Sequence, residues 1–134
     1  MMPETAKQRV GDARVGRLAT VTPEGRPHIV PCCFVLRGDM IYSAVDGKPK
    51  SRLSLRRIEN LEANDAFALL VDLYDGEWSA LWWVRIDGHG RVVRDEGERV
   101  EALHLLTRKY PQYHAVPIPG PVIALEIETW TSWP

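Results

Sequence analysis

The sequence has little cysteine, no long apolar run and almost no net charge, and each shortage removes a class of function. Its 134 residues include two cysteines, the adjacent Cys32 and Cys33. Neighbouring strand residues point to opposite faces, so the pair does not suit an internal disulfide. Without a spaced His/Cys set they do not form a zinc site, and two small apolar strand residues is the plainer reading. No stretch approaches the roughly 20 apolar residues that a membrane-crossing helix needs. The opening Met1-Met2-Pro3-Glu4-Thr5-Ala6-Lys7 has no apolar signal region. A cytoplasmic protein with no membrane partner is expected. The net charge of −1 lacks the basic excess of a duplex binder, so no nucleic-acid partner is expected either.

Catalytic signatures are also missing. The four histidines, His28, His89, His104 and His114, have no metal-ligand spacing. No Ser–His–Asp order, nucleophile elbow or glycine fingerprint opening a helix is present. Such a chain fits chemistry brought by a bound cofactor, with the protein supplying binding and orientation.

What is there suits one domain over residues 1–134, with 45% hydrophobic residues for a core. Residues 1–14 read as a helical lead-in. Val15–Val21 alternates as a half-buried strand does, and Thr22–Arg26 reads as a turn. Pro27–Leu36 reads as one strand, at an edge or bulged because Pro27 and Pro31 cannot donate to a ladder. Met40–Val45 completes an antiparallel meander. Arg52–Asn64 has helical periodicity with Leu53, Ile58 and Leu61 inward. Strands follow at Ala66–Leu73 and Trp78–Val93, the latter with a bulge expected near Gly88 and Gly90. A helix over Gly97–Tyr110, with Val100, Leu103 and Leu106 inward, and a strand over Val122–Trp130 end the series. The pattern predicts a mostly β fold: a six-stranded antiparallel sheet, closed or split as a barrel, with two to three helices.

The densest chemistry lies in Asp46-Gly47-Lys48-Pro49-Lys50-Ser51-Arg52, between a predicted strand and a predicted helix. Free N–H groups and the dipole of a helix start favour an anion there. Lys48 and Lys50 can straddle a phosphate, Ser51 can donate from its hydroxyl, and Arg52 can close a two-point grip. A solvated basic turn with Ser51 as an ordinary N-cap is the competing reading. Five tryptophans are a second enrichment. Trp78 and Trp82, placed on one strand face, read either as packing or as an aromatic wall against a planar ligand.

Val15-Gly16-Arg17-Leu18-Ala19-Thr20-Val21, then Glu24-Gly25-Arg26-Pro27-His28, resembles the opening hairpin of the pyridoxamine-phosphate-oxidase-like split-barrel flavoproteins. Lys48-Pro49-Lys50-Ser51-Arg52, Arg56-Arg57 and Ala66-Phe67-Ala68-Leu69-Leu70-Val71-Asp72 continue the likeness, which is nearest to the actinobacterial branch using the deazaflavin coenzyme F-420. The resemblance implies a six-stranded split β-barrel homodimer with a flavin-like cofactor, F-420 or alternatively FMN, at the subunit interface. It implies that Lys48, Lys50, Ser51 and Arg52 contact the cofactor's phosphate or acidic tail. It also implies that Ser43 and the strand around Pro31 and Cys32 line the ring, with Pro31 leaving backbone groups to supply hydrogen bonds there. The expected activity is hydride transfer between the cofactor and an unsaturated small molecule. A non-catalytic cofactor-binding module is the alternative outside enzymology.

Overall fold

The structure, a computed structural model, describes residues 3–44, 52–115 and 120–134, and the side chains of residues 3 and 52–55 are outside that description. Helix α1 (Pro3–Asp12) leads into strands β1 (Gly16–Val21), β2 (Pro27–Cys32), β3 (Val35–Arg37) and β4 (Met40–Ala44). Helix α2 (Arg52–Ala63), strands β5 (Ala66–Leu73) and β6 (Trp82–Val92), helix α3 (Glu96–Lys109) and strand β7 (Val122–Trp133) follow. All seven strands form one antiparallel sheet in the order β2-β1-β5-β6-β7-β4-β3.

The two ends of that order are neighbours in the chain. Only Cys33 and Phe34 separate β2 from β3. Three residue steps reach at most about 11 Å, so the two edges of the sheet must approach each other. The sheet is therefore rolled into a barrel that is split between β2 and β3. This corrects the expected count of six strands: the segment Pro27–Leu36 is not one strand but two, on opposite edges of the sheet. Pro27 and Pro31 sit on β2, which pairs only with β1, where a missing N–H donor is tolerated.

The inward faces follow strict alternation. On β1 it is Gly16, Leu18 and Thr20, on β5 it is Phe67, Leu69 and Val71, and Val84 and Ile86 continue it on β6. These residues join Phe34, Ile41, Ile123 and Leu125 in the barrel core, with Ala6 and Val10 of α1 and Leu61 of α2 packed against it. Across the β4–β7 side, Tyr42, Val122 and Ala124 meet Ala102 and Leu106 of α3 and Tyr110 just beyond it. That line at i, i+4, i+8 sets the phase of α3. Val100 lies two residues, about 200°, from Ala102 and is 58% exposed, not inward as expected. Asp95 caps α3 by accepting from Glu98 N at 2.8 Å. Glu98 then takes a two-point grip from Arg91 and a hydrogen bond from the Tyr42 hydroxyl at 2.8 Å, tying the helix to the sheet.

Two other expectations change. The segment Trp78–Ala80 is a single 3-10 turn, and the strand starts at Trp82. Strand β7 runs on to Trp133, pairing with Trp83. The bulge holds: the β6–β7 register shifts between Asp87 and Gly88. At Gly88 a Cβ would run into the carbonyl oxygen of Glu126, so only glycine allows that approach.

The Cys33–Phe34 corner leaves the ladder, so its buried backbone groups need other partners. Tyr110 provides them: its hydroxyl accepts from Phe34 N at 3.1 Å and lies 3.0 Å from both Phe34 O and Arg14 O, to either of which it can donate. Tyr110→Phe keeps the ring and strands these groups. It is expected to lower unfolding free energy by about 1–3 kcal/mol, measured by urea denaturation with the m-value unchanged.

Candidate functional site

The corner also gathers several of the residues singled out in the sequence. Ser43 of β4 is fully buried and its hydroxyl donates to Cys33 O at 2.7 Å. Its side chain thus acts on the corner's backbone rather than standing open on a ring-lining surface. Cys32 is buried, and burial pushes its thiol up to about 11 against the opposing pull of the Arg57 charge and contact with Ser43. Such a thiol is inert as a nucleophile. Cys33 is exposed, as alternation across the two residues requires. Pro31 is exposed on the free side of β2. Arg52 opens α2. Lys48, Lys50 and Ser51 lie outside the described residues, as does the side chain of Arg52.

Behind the corner stand two cations that sequence reasoning did not pick out. The Lys109 amine lies 4.1 Å from the centre of the Phe34 ring. Burial, aided by the Arg14 charge, lowers it to about 8, and its nitrogen is buried without a hydrogen-bond partner. Arg14 in turn donates to Lys109 O at 2.8 Å. Position at the end of a helix gives no cue to this arrangement, because the contact depends on where β2 breaks.

The tryptophans gather elsewhere. Trp82, Trp83 and Trp133 border an open groove of about 710 Å³ on the outer face of the sheet, together with Ala19, Ile29 and Leu70. Trp78 is 71% exposed and does not line it. Trp82 turns partly inward to pack on the core and lies under the Arg9 guanidinium at 4.8 Å. An aromatic wall exists, then, but it is formed by Trp83 and Trp133 in register across β6 and β7, without Trp78.

The sequence matches the pyridoxamine 5'-phosphate oxidase family over residues 2–134. The chain belongs to this family. No curated protein matches it significantly. Solved structures that share the fold include a conserved protein of Mycobacterium tuberculosis, 19% identical with a TM-score of 0.80, covering 99% of this chain and 84% of that one. A FAD-binding protein of Mesorhizobium loti is 20% identical with a TM-score of 0.74, over 98% and 94% of the two chains. The heme storage protein of Vibrio cholerae is 16% identical with a TM-score of 0.73, over 98% and 92%. The split barrel of this family is thus shared by proteins with different named ligands.

Within the family fold, the histidine best placed for acid–base work is already engaged. His89 Nδ1 lies 2.8 Å from Asp65 and its Nε2 lies 2.7 Å from Glu128. The two carboxylates take opposite sides of the ring, so they do not converge on a metal, and no metal-holding group of three appears among the described residues. The hydrogen bond to Asp65, then the charges of Asp65 and Glu128, raise His89 above its ordinary 6.5. A raised histidine stabilises the fold fully below 6.5 and loses that contribution as pH rises through the higher folded value. His89→Asn is therefore expected to destabilise the protein more in mildly acidic than in alkaline buffer. Thermal melts of both proteins across that range measure the difference.

Proposed function

We propose that this protein is a cytoplasmic oxidoreductase that binds a phosphate-bearing flavin-type cofactor, FMN in the first instance, and acts on an unsaturated small molecule. The family match over residues 2–134 carries this reading. The residues fit such a group. The segment joining β4 to α2 places Lys48, Lys50 and Arg52 around Ser51 with a single acid, Asp46, ahead of them. Lys and Arg there suit a phosphate. Along the corner, Ser43 fixes the Cys33 carbonyl inward, so the backbone beside exposed Cys33 is held in one orientation. A planar ring needs such fixed backbone groups where Pro31 offers no side-chain donor.

When bound, the flavin supplies the hydride chemistry, and the protein's part is to hold, orient and exclude water. Lys48, Lys50, Ser51 and Arg52 would bind the phosphate. The buried thiol of Cys32 and the buried Ser43 hydroxyl keep titratable and mobile groups out of the ring's surroundings.

The deazaflavin coenzyme F-420 is the second reading, favoured by one observation. Arg56 is exposed on α2 immediately past the cationic segment, where an acidic tail could reach it. A homodimer belongs to both readings. The outer-face groove exposes Ile29 at 64% and Trp133 at 50%, a large apolar area for a free surface. Arg17 and Asp72, which flank it with opposite charges, suit a two-fold pairing in which each meets its counterpart. No helix among the described residues is long and apolar enough to cross a membrane.

Titration of the purified protein with FMN, and separately with F-420, tests the cofactor by quenching of ligand fluorescence. Saturable FMN binding at micromolar concentration is expected, and the absence of binding by both ligands sinks the reading. Lys50→Ala should weaken binding by about 1.5–3 kcal/mol. For the dimer, Leu70→Arg in the groove is expected to shift sedimentation from dimer to monomer with the circular dichroism spectrum retained.

A further inference from the structure

The cations of the described structure are mostly matched to acids. Arg17 faces Asp72 at 3.4 Å, Arg85 faces Asp87 at 3.1 Å, Arg91 faces Glu98 at 2.9 Å and Arg94 faces Glu62 at 3.1 Å. Arg37 pairs with Glu101. Arg57 of α2 breaks the pattern. Its Nε is buried with no hydrogen-bond partner, and no carboxylate pairs with it among the described residues. Its neighbour Arg56 is exposed, whereas Arg57 is half-buried.

Arg57 is turned toward the corner. Its charge acts on the thiol of Cys32, which is in contact with Ser43, and Ser43 holds Cys33 O. Two further polar atoms lack partners on the same seam between α2 and the barrel. Asn60, one turn on from Arg57 and fully buried, donates to Thr20 Oγ1 at 3.0 Å but leaves its Oδ1 unpaired. His28, the cross-strand partner of Thr20, leaves a buried Nδ1 unpaired. A half-buried guanidinium without an anion carries a desolvation cost that nothing in the chain offsets. A ligand oxyanion would offset it, and a guanidinium is well shaped to hold one.

We propose that Arg57 is an anion-binding residue that takes a phosphate oxygen of the bound ligand from the α2 side, next to Ser43 and the Cys33 corner. This deepens the flavin-type reading and rests on it for the identity of the ligand. Ser43 is two residues ahead of the segment 45–51, and Arg57 is one and a half turns into α2 from Arg52. The chain therefore brings Arg57 to the same end of the barrel as the cations of that segment. Arg57 also differs from them in kind. It is fixed by burial along a helix, so its donors are oriented before any ligand arrives.

The test compares the wild type with Arg57→Gln, and with Arg108→Gln as an exposed charge-matched control on α3. FMN and riboflavin, which differ by the phosphate, are titrated by flavin fluorescence. Thermal melts of each ligand-free protein are taken with and without inorganic phosphate. Arg57→Gln is expected to weaken FMN about 10- to 100-fold, the loss of one charge-assisted contact. Riboflavin affinity is expected to hold. The ligand-free melting temperature should stay level or rise, because an unpaired buried charge has been removed. Arg108→Gln should change none of these.

FMN affinity equal to wild type overturns the proposal. Equal weakening of FMN and riboflavin also overturns it, since Arg57 then serves the ring or the fold. So does a fall in ligand-free melting temperature, which marks a structural arginine. If the wild type binds neither flavin, the cofactor reading fails and the phosphate melts decide for Arg57 alone. A phosphate-induced rise present in wild type and lost in Arg57→Gln upholds it. An equal rise in both, or none in the wild type, overturns it.

Discussion

The whole molecule depends on a two-residue step. Cys33 and Phe34 carry the chain from one edge of a seven-stranded sheet to the other. That step is possible only if the sheet has closed far enough for its edges to lie within about 11 Å. The barrel and the corner thus impose each other. A step across a closing barrel cannot remain in the ladder, so backbone groups are left without strand partners in a buried place. Tyr110 satisfies those of Phe34, and Ser43 satisfies the Cys33 carbonyl. The Phe34 side chain fills the core beneath them and is fully buried. Because Tyr110 follows α3 directly and Arg14 follows α1, the same knot ties two helices to the barrel.

This knot also shapes the electrostatics of the site. Burial around it moves both neighbouring titratable groups toward their neutral forms, Cys32 upward and Lys109 downward. Neutral, fixed groups suit a place where a cofactor's own electron chemistry should proceed without competing proton transfers. Charge is instead concentrated on the cationic segment and on the α2 side. Ion pairs satisfy the arginines of the sheet surface, so the potential they cast is local and weak. Unpaired cations at one end of the barrel therefore dominate what an anionic ligand encounters on approach.

Much of the fold was legible because strands report alternation and turns report glycine and proline. The hairpin at Thr22–Arg26, the bulge at Gly88 and the helix over α2 were all readable on those terms. The break between β2 and β3 was not, because Val30–Leu36 stays apolar or small through it and local pattern carries no sign of which edge a residue joins. Trp78 misled for a different reason. An aromatic residue favours strand, but Glu77 N donates to Asp75 Oδ1 and Ser79 donates to Glu77 Oε1. Such local bonds extend the turn at the strand's expense. Val100 failed by helical phase alone, since the inward line is fixed by Tyr110 at the far end of α3.

The site was legible in a narrower sense. Residue type showed where an anion could be held, since three cations in five residues stand out against a chain of net charge −1. It did not show which hydroxyls and arginines serve the ligand and which serve the chain. Ser43 illustrates the difference. A strand serine near a ring site suggests a direct contact, yet its hydroxyl is spent on Cys33 O. Arg57 shows the reverse. On a helix face with Arg56 it resembles a solvated residue, and only the absence of any partner for its buried Nε sets it apart. In both cases the deciding fact is the hydrogen-bond account of a buried group, which is a property of the closed barrel. Where that account balances within the chain, as at Ser43, the residue supports the scaffold. Where it does not, as at Arg57, the imbalance is the mark of something the chain is built to bind.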